Sequence, residues 1–142
     1  MRTGFSLLEL IGALALLAVA VSLALPPLHD FGERLSVVGA REEVAGLLTR
    51  ARAEAIQRGG SRVVISRDPP LALLMADTLV RERIDLWARY RAELFISGGR
   101  SRVELNFDSS GLGRMTARSF TFRRRGAVSR LVISAYGRMR RE

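Results

Sequence analysis

The sequence predicts an α+β chain in which a long N-terminal helix leads into a small antiparallel β domain. Three observations carry this. An apolar run from Leu10 to Leu28 is interrupted only by Gly12, Ser22 and the Pro26-Pro27 pair. An amphipathic stretch from Asp30 to Arg58 follows and reads as a continuation of the same helix. Beyond Gly59-Gly60 the apolar period shortens from that of a helix to the two-residue alternation of strands.

A helix from Phe5 to Leu28 would extend about 36 Å, enough for a hydrocarbon layer of roughly 30 Å. With Arg2 on the short upstream side, the positive-inside rule leaves the N-terminus in the cytoplasm and sends the remainder across the membrane. Pro26 lacks a backbone donor and crowds the carbonyl four residues back, which predicts a bend or a locally melted turn there. Past it, Val37, Val44, Leu48, Ala51 and Ala55 recur at helical spacing, while Arg41, Glu42, Arg50, Arg52, Glu54 and Arg58 take the other faces. Gly59 suits the left-handed residue that ends a helix.

Strands are expected at Arg62–Ser66, Leu71–Ala76 beyond an Asp68-Pro69-Pro70 turn, Ser101–Phe107, Ser119–Phe122 and Arg130–Ala135. Val103, Leu105 and Phe107 alternate with Arg102, Glu104 and Asn106, as a half-buried strand requires. Thr78–Ile96 fits a helix stripe and a strand alternation alike; strand is the preferred reading. Gly111-Leu112-Gly113-Arg114 reads as a turn between strands.

The chain has 142 residues, 48% hydrophobic and 26% charged, which suits one modest folded domain and excludes a disordered chain. Without cysteine it has neither disulfides nor thiolate metal sites. All of its basic residues are arginine, and the net charge of +9 is unevenly placed. Met1–Ile96 carries 12 arginines against 11 acids, whereas Ser97–Glu142 carries 11 against 3.

Phe5-Ser6-Leu7-Leu8-Glu9, placed behind Gly4 and opening a spanning-length apolar helix, resembles the processing site of type IV pilins and pseudopilins. The resemblance implies a leader of residues 1–4, cut by prepilin peptidase between Gly4 and Phe5, and N-methylation of the new Phe5 amine. It implies further that Glu9 is the assembly residue. A charge at mid-membrane costs on the order of 3 kcal/mol, so Glu9 requires a partner, and the cationic amine of Phe5 in a neighbouring subunit is the natural one. Residues 5–28 are then the transmembrane and filament-core helix, 29–60 its amphipathic continuation, and 61–142 an extracytoplasmic β-rich domain. An ordinary secretory signal cut near Ser22-Leu23-Ala24 needs neither Glu9 nor the amphipathic continuation.

Ala51–Gly59 before a strand, Phe107-Asp108-Ser109-Ser110-Gly111 at a turn, and a final strand running into Tyr136-Gly137-Arg138 resemble the GspH/FimT branch of minor pseudopilins. That branch implies a pilin fold. It also implies partners: other pilin subunits, prepilin peptidase and an inner-membrane assembly platform. A subunit of this kind is stored in the inner membrane, single-pass, before it enters a pilus or pseudopilus. The Gly137–Arg141 segment resembles a Gly-Arg-x-Arg motif associated with DNA capture. Arg138, Arg140 and Arg141, with Arg123, Arg124 and Arg125, are therefore candidate DNA-binding residues, since guanidinium donates bidentate hydrogen bonds to phosphate. A solvated surface, neighbouring acidic subunits and anionic headgroups are the alternative uses of that charge.

Nothing in the sequence points to an enzyme, a cofactor or a metal. His29 is the sole histidine, and no cluster has metal-ligand spacing. The chain therefore reads as a minor pilin of a type IV pilus; the alternatives are a GspH-type pseudopilin of a type II secretion system and a solitary membrane-anchored DNA receptor. Mass spectrometry of the protein from its native membrane should find Phe5 as the first residue, carrying a methyl group. A mature chain starting at Leu25 would remove the pilin reading.

Overall fold

The computed structural model describes residues 6–76, 78–113 and 116–142, and the side chains of residues 23–29 fall outside that description. A 52-residue helix, α1 (Leu7–Arg58), precedes β1 (Gly60–Ser66), β2 (Leu71–Ala76), β3 (Leu79–Asp85), a short helix α2 (Leu86–Tyr90), β4 (Glu93–Ile96), β5 (Arg102–Asp108), β6 (Arg118–Arg124), β7 (Ala127–Ile133) and β8 (Met139–Arg141). The chain divides into two units, Met1–Gly32 and Glu33–Glu142.

In the first unit α1 starts at a serine cap. Ser6 Oγ accepts from the Glu9 N–H at 3.2 Å, and the Ser6 carbonyl accepts from the Leu10 N–H at 3.1 Å. Ser-x-x-Glu is a helix-start signature, and the Glu9 charge faces the positive end of the helix dipole. Leu7, Leu8, Leu10, Ile11, Leu14 and Leu17 are all exposed. Ser22 donates its hydroxyl to the Val19 carbonyl at 2.8 Å, so this polar atom of the apolar run is satisfied within its own helix. Among the described residues no helix is long and apolar enough to cross a membrane. The described side chains of the expected span end at Ser22. Helical backbone continues through Pro26 and Pro27, but the bend expected at Pro26, like the side chain of His29, lies outside the described side chains.

In the second unit the predicted stripe is the core face of α1. Val37, Val44, Leu48, Ala51 and Ala55 are buried, joined by Ala40, Ala45 and Leu47. Two four-stranded antiparallel sheets, ordered β3-β2-β1-β5 and β4-β6-β7-β8, supply the rest of the core. Their inward residues, including Val63, Ile65, Leu105, Phe120, Phe122 and Leu131, form one cluster with the helix face. Alanine at four of the helix positions lets strand side chains approach the helix backbone closely. α1 ends as expected at Gly59, with φ at 87° and its N–H on the Ala55 carbonyl at 2.9 Å. Ser61 then ties β1 back to the helix through its hydroxyl on the Ala51 carbonyl at 2.7 Å.

Two regions differ from expectation. Thr78–Ile96, read as strand, is strand only at β3 and β4. Between them Asp85 caps α2 by accepting from the Ala88 N–H at 2.8 Å, and Arg91 ends it in the left-handed region at φ 51°. β3 is the edge of the first sheet and β4 the edge of the second, so the chain has to leave one sheet here to enter the other, and a helical turn makes that crossing. The segment after Tyr136 is a strand as well: β8 pairs Met139 with Ile133 and Arg141 with Leu131.

Enlarging a fully buried helix alanine tests this packing. Ala51→Leu should destabilise the chain by about 1–3 kcal/mol, whereas Ala53→Leu, exposed on the same helix, should change stability by less than about 0.5 kcal/mol. Denaturant unfolding of the detergent-solubilised chain, followed by circular dichroism, measures both.

Candidate functional site

Of the residues expected to serve processing and assembly, Gly4 and Phe5 lie outside the described residues. Glu9 is exposed in the first turn of α1, three residues past the Ser6 cap. Its carboxylate is thus presented to solvent from an otherwise apolar helix surface.

Strand alternation separates the candidate arginines. On the outer face of the second sheet, Phe95, Thr121 and Arg130 lie in one cross-strand row, Glu93, Arg123 and Val128 in the next, and Val132 and Arg140 in a third. Arg123 and Arg140 therefore share this face with Arg130. Arg140 is 80% exposed, with its only acidic contact to Glu142 at 3.1 Å among the described residues.

The other arginines point back toward α1. Arg124 donates to Ser36 Oγ at 2.5 Å and to the Tyr90 carbonyl at 3.2 Å. Arg125, left-handed at φ 48° in the β6–β7 turn, pairs with Glu33 at 3.0 Å. Arg141 donates to Glu42 at 2.9 Å. Acidic partners absent from the local sequence thus come from the helix, which periodicity alone could not foresee.

Gly137 has a structural reason to be glycine. Its φ is 77°, and a Cβ there would meet Arg52 Nη2 at 2.5 Å. Arg52 donates to the Gly137 carbonyl and, at 3.3 Å, to that of Tyr136. Ser134 completes the β7–β8 turn by accepting from the Gly137 N–H at 2.8 Å on its carbonyl and from the Arg138 N–H at 3.0 Å on Oγ. Arg138 itself is exposed and lines a groove with Arg52, Ile56, Leu112 and Tyr136. Across that groove Asp108 accepts from the Ser110 and Leu112 N–H groups at 2.9 and 3.0 Å, the turn-capping role its position suggested. Gly111, at φ 71°, and Gly113, bridged to Phe107, form the expected turn, while Arg114 lies outside the described residues.

Among the described residues, no group of three His, Cys, Asp or Glu side chains is placed to hold a metal. No protein-family model matches the sequence. The chain is 33% identical to the pilin-like protein PilA1 of Thermus thermophilus over an alignment of 156 positions that covers 99% of each. The chain belongs to the type IV pilin and pseudopilin family. The crystal structure of the Pseudomonas aeruginosa type IV minor pilin FimU superposes with a TM-score of 0.57 at 22% identity, over 73% of this chain and 90% of FimU. This pilin therefore has the pilin fold, a long helix packed on antiparallel sheet, and its role is that of a subunit that assembles with other pilins.

In this pilin Arg141 and Glu42 latch β8 onto α1, and the latch is sensitive to acid. Burial pushes the Glu42 carboxyl up, but hydrogen bonds and charge from Arg41 and Arg141 outweigh it and hold the group below its ordinary value. The associated stability is present above the carboxylate pKa of the unfolded chain and is lost as pH falls through the lowered folded value. Arg141→Gln should cost about 0.2–1 kcal/mol. It should also flatten the acid-induced loss of amide-exchange protection at Arg130 and Glu142, whose backbones exchange hydrogen bonds at 2.8 and 2.9 Å. Unchanged protection profiles would discount the latch.

Proposed function

We propose that the chain is a minor subunit of a type IV pilus-like filament, held in the inner membrane by its N-terminal helix before assembly. The observation that carries this is the pairing of two unlike halves in one helix. Leu7, Leu8, Leu10, Ile11 and Leu14 have no cover in the first unit, while the stripe Val37, Val44, Leu48, Ala51 and Ala55 is buried in the second. Each exposed side chain gains about 1.5–3 kcal/mol on burial, so the first half requires lipid or the helices of other subunits. A head-to-tail stack of such helices is a heterologous contact that does not close, and it grows into a filament.

Within this reading prepilin peptidase cuts between Gly4 and Phe5, the Phe5 amine is methylated, and Glu9 sets the register of docking by meeting that amine on a neighbour. Pro26 is where we place a bend in the helix. The globular domain is extracytoplasmic. A GspH/FimT-like type II secretion pseudopilin is the alternative owner of the same leader; the names of both relatives, a pilin-like protein and a type IV minor pilin, favour the pilus. The excess of 11 arginines over 3 acids in Ser97–Glu142 supports DNA contact by the exposed Arg123, Arg138 and Arg140. Arg124, Arg125 and Arg141 have intramolecular tasks and reach DNA only by giving them up.

Glu9→Ala should leave the precursor in the membrane and processed, yet reduce its recovery in sheared filaments at least about tenfold, as expected if the neighbour's buried Phe5 amine loses its carboxylate partner. Immunoblots of membrane and filament fractions measure this. Normal incorporation of the variant would favour a solitary membrane-anchored receptor instead.

A further inference from the structure

We propose that Trp87, Arg91 and Arg123, extended by Phe95 and Arg67, form a binding strip for single-stranded nucleic acid. The proposal rests on the DNA-contact reading for its class of ligand, and it adds a single-strand site at the β4 edge of the second sheet, opposite the β8 edge.

Two features coincide in this region. Arg50, Arg62, Arg102 and Arg125 lie within 4 Å of a carboxylate, and Arg52, over Phe107, donates to the Tyr136 and Gly137 carbonyls. Arg67, Arg91 and Arg123 form no such pair among the described residues, and each lies over an aromatic ring. Arg67 and Arg123 stand 4.8 and 5.0 Å from the centroid of Phe95, and Arg91 stands 5.8 Å from that of Trp87. Guanidinium over a ring keeps its N–H donors free for phosphate, which carboxylate-bound arginine does not.

Trp87 is the chain's single tryptophan and is 46% exposed. An indole left this open on a five-residue helix is not there to fill the core, which Leu86 fills next to it. With Arg91, Arg123, Arg124 and Arg125 it borders a hollow of about 250 Å³ whose acidic member is Glu93, cross-strand from Arg123. Arg124 and Arg125 are held by Ser36, Tyr90 and Glu33, so Arg91 and Arg123 are the cations with charge to spare. Arg123 also reaches Phe95, and it therefore links the two aromatic stations.

The half-exposed indole and the guanidinium planes stacked on Trp87 and Phe95 are flat surfaces on which unpaired bases can pile, while the guanidinium edges donate to the intervening phosphates. A duplex hides its base faces and gains only the phosphate contacts. The preference among ligands is thus for single strands, with little dependence on sequence.

Because Trp87 is alone of its kind, its fluorescence reports on this site without labelling. Titrating the full chain in detergent with an oligothymidylate should quench Trp87 to saturation. An abasic oligomer of equal length should bind about tenfold more weakly, as should the thymidylate to Trp87→Ala, followed by anisotropy of a labelled strand. Arg91→Gln with Arg123→Gln should weaken it at least as much, while Arg62→Gln with Arg102→Gln, both paired with Glu104 on the first sheet, should change it less than about threefold. Circular dichroism melts would establish that the variants fold. Tight strand binding without quenching, or binding unaffected by Trp87→Ala and Arg91→Gln/Arg123→Gln, would overturn the strip and leave the DNA reading standing. If neither strand nor duplex binds at moderate salt, both readings fall together.

Discussion

The buried face of α1 between Val37 and Ala55 is the constraint on which the domain depends. Two sheets meet that one helix, and each residue of the stripe packs against strands that are remote in sequence. Small side chains at Ala40, Ala51 and Ala55 permit close approach, and Leu47, Leu48, Phe120 and Phe122 fill the volume between the backbones. Because the core is shared, neither sheet has an independent reason to fold. The strands are short and no disulfide supports them, so loss of the helix face would leave two narrow sheets with exposed apolar sides. The same helix carries the exposed apolar side chains of the first unit, so the element that organises the domain is also the one that leads to them.

Charge is arranged around that helix in two ways. Glu33, Glu42, Glu43, Glu54 and Glu82 receive arginines from distant elements, and those arginines act as ties across the surface. Each exposed pair contributes little by itself, but the ties at Glu33 and Glu42 fasten the β6–β7 turn and β8 to α1. Other arginines have no carboxylate partner among the described residues, and three of these, Arg67, Arg91 and Arg123, stand over aromatic rings near the β4 edge. A net charge computed from sequence cannot separate these populations. It counts Arg125 and Arg123 alike although one is committed to Glu33 and the other stands over Phe95.

Much of the fold was legible because its signals are local and periodic. The stripe of α1, the Gly59 stop, the alternation of β5 and the turn at Asp108 each follow from neighbours within a few residues. What escaped depends on partners remote in the chain. α2 was hidden because Thr78–Ile96 satisfies two periods at once, and only the need to pass between sheets decides for a turn at Asp85–Arg91. β8 was hidden because Met139-Arg140-Arg141 has no apolar alternation, and its order comes from β7 and Glu42. The division of the arginines was likewise unreadable, whereas Ser6-x-x-Glu9 was a local signal open to reading from the start.

That serine cap adds a physical condition to the role proposed for Glu9. A glutamate at the third helical position is stabilised by the helix dipole whether or not another subunit is present. Its carboxylate therefore stays near the N-terminal end of α1 instead of ranging over the apolar surface. The cost of carrying a charge in an apolar helix is in this way partly met before any docking occurs. What a neighbour's amine adds is then a difference between two solvated or paired states, smaller than the full penalty of an isolated buried charge. If Glu9 docks as proposed, a contact of that moderate strength suits passage from a membrane into a filament, since the carboxylate is stranded in neither place.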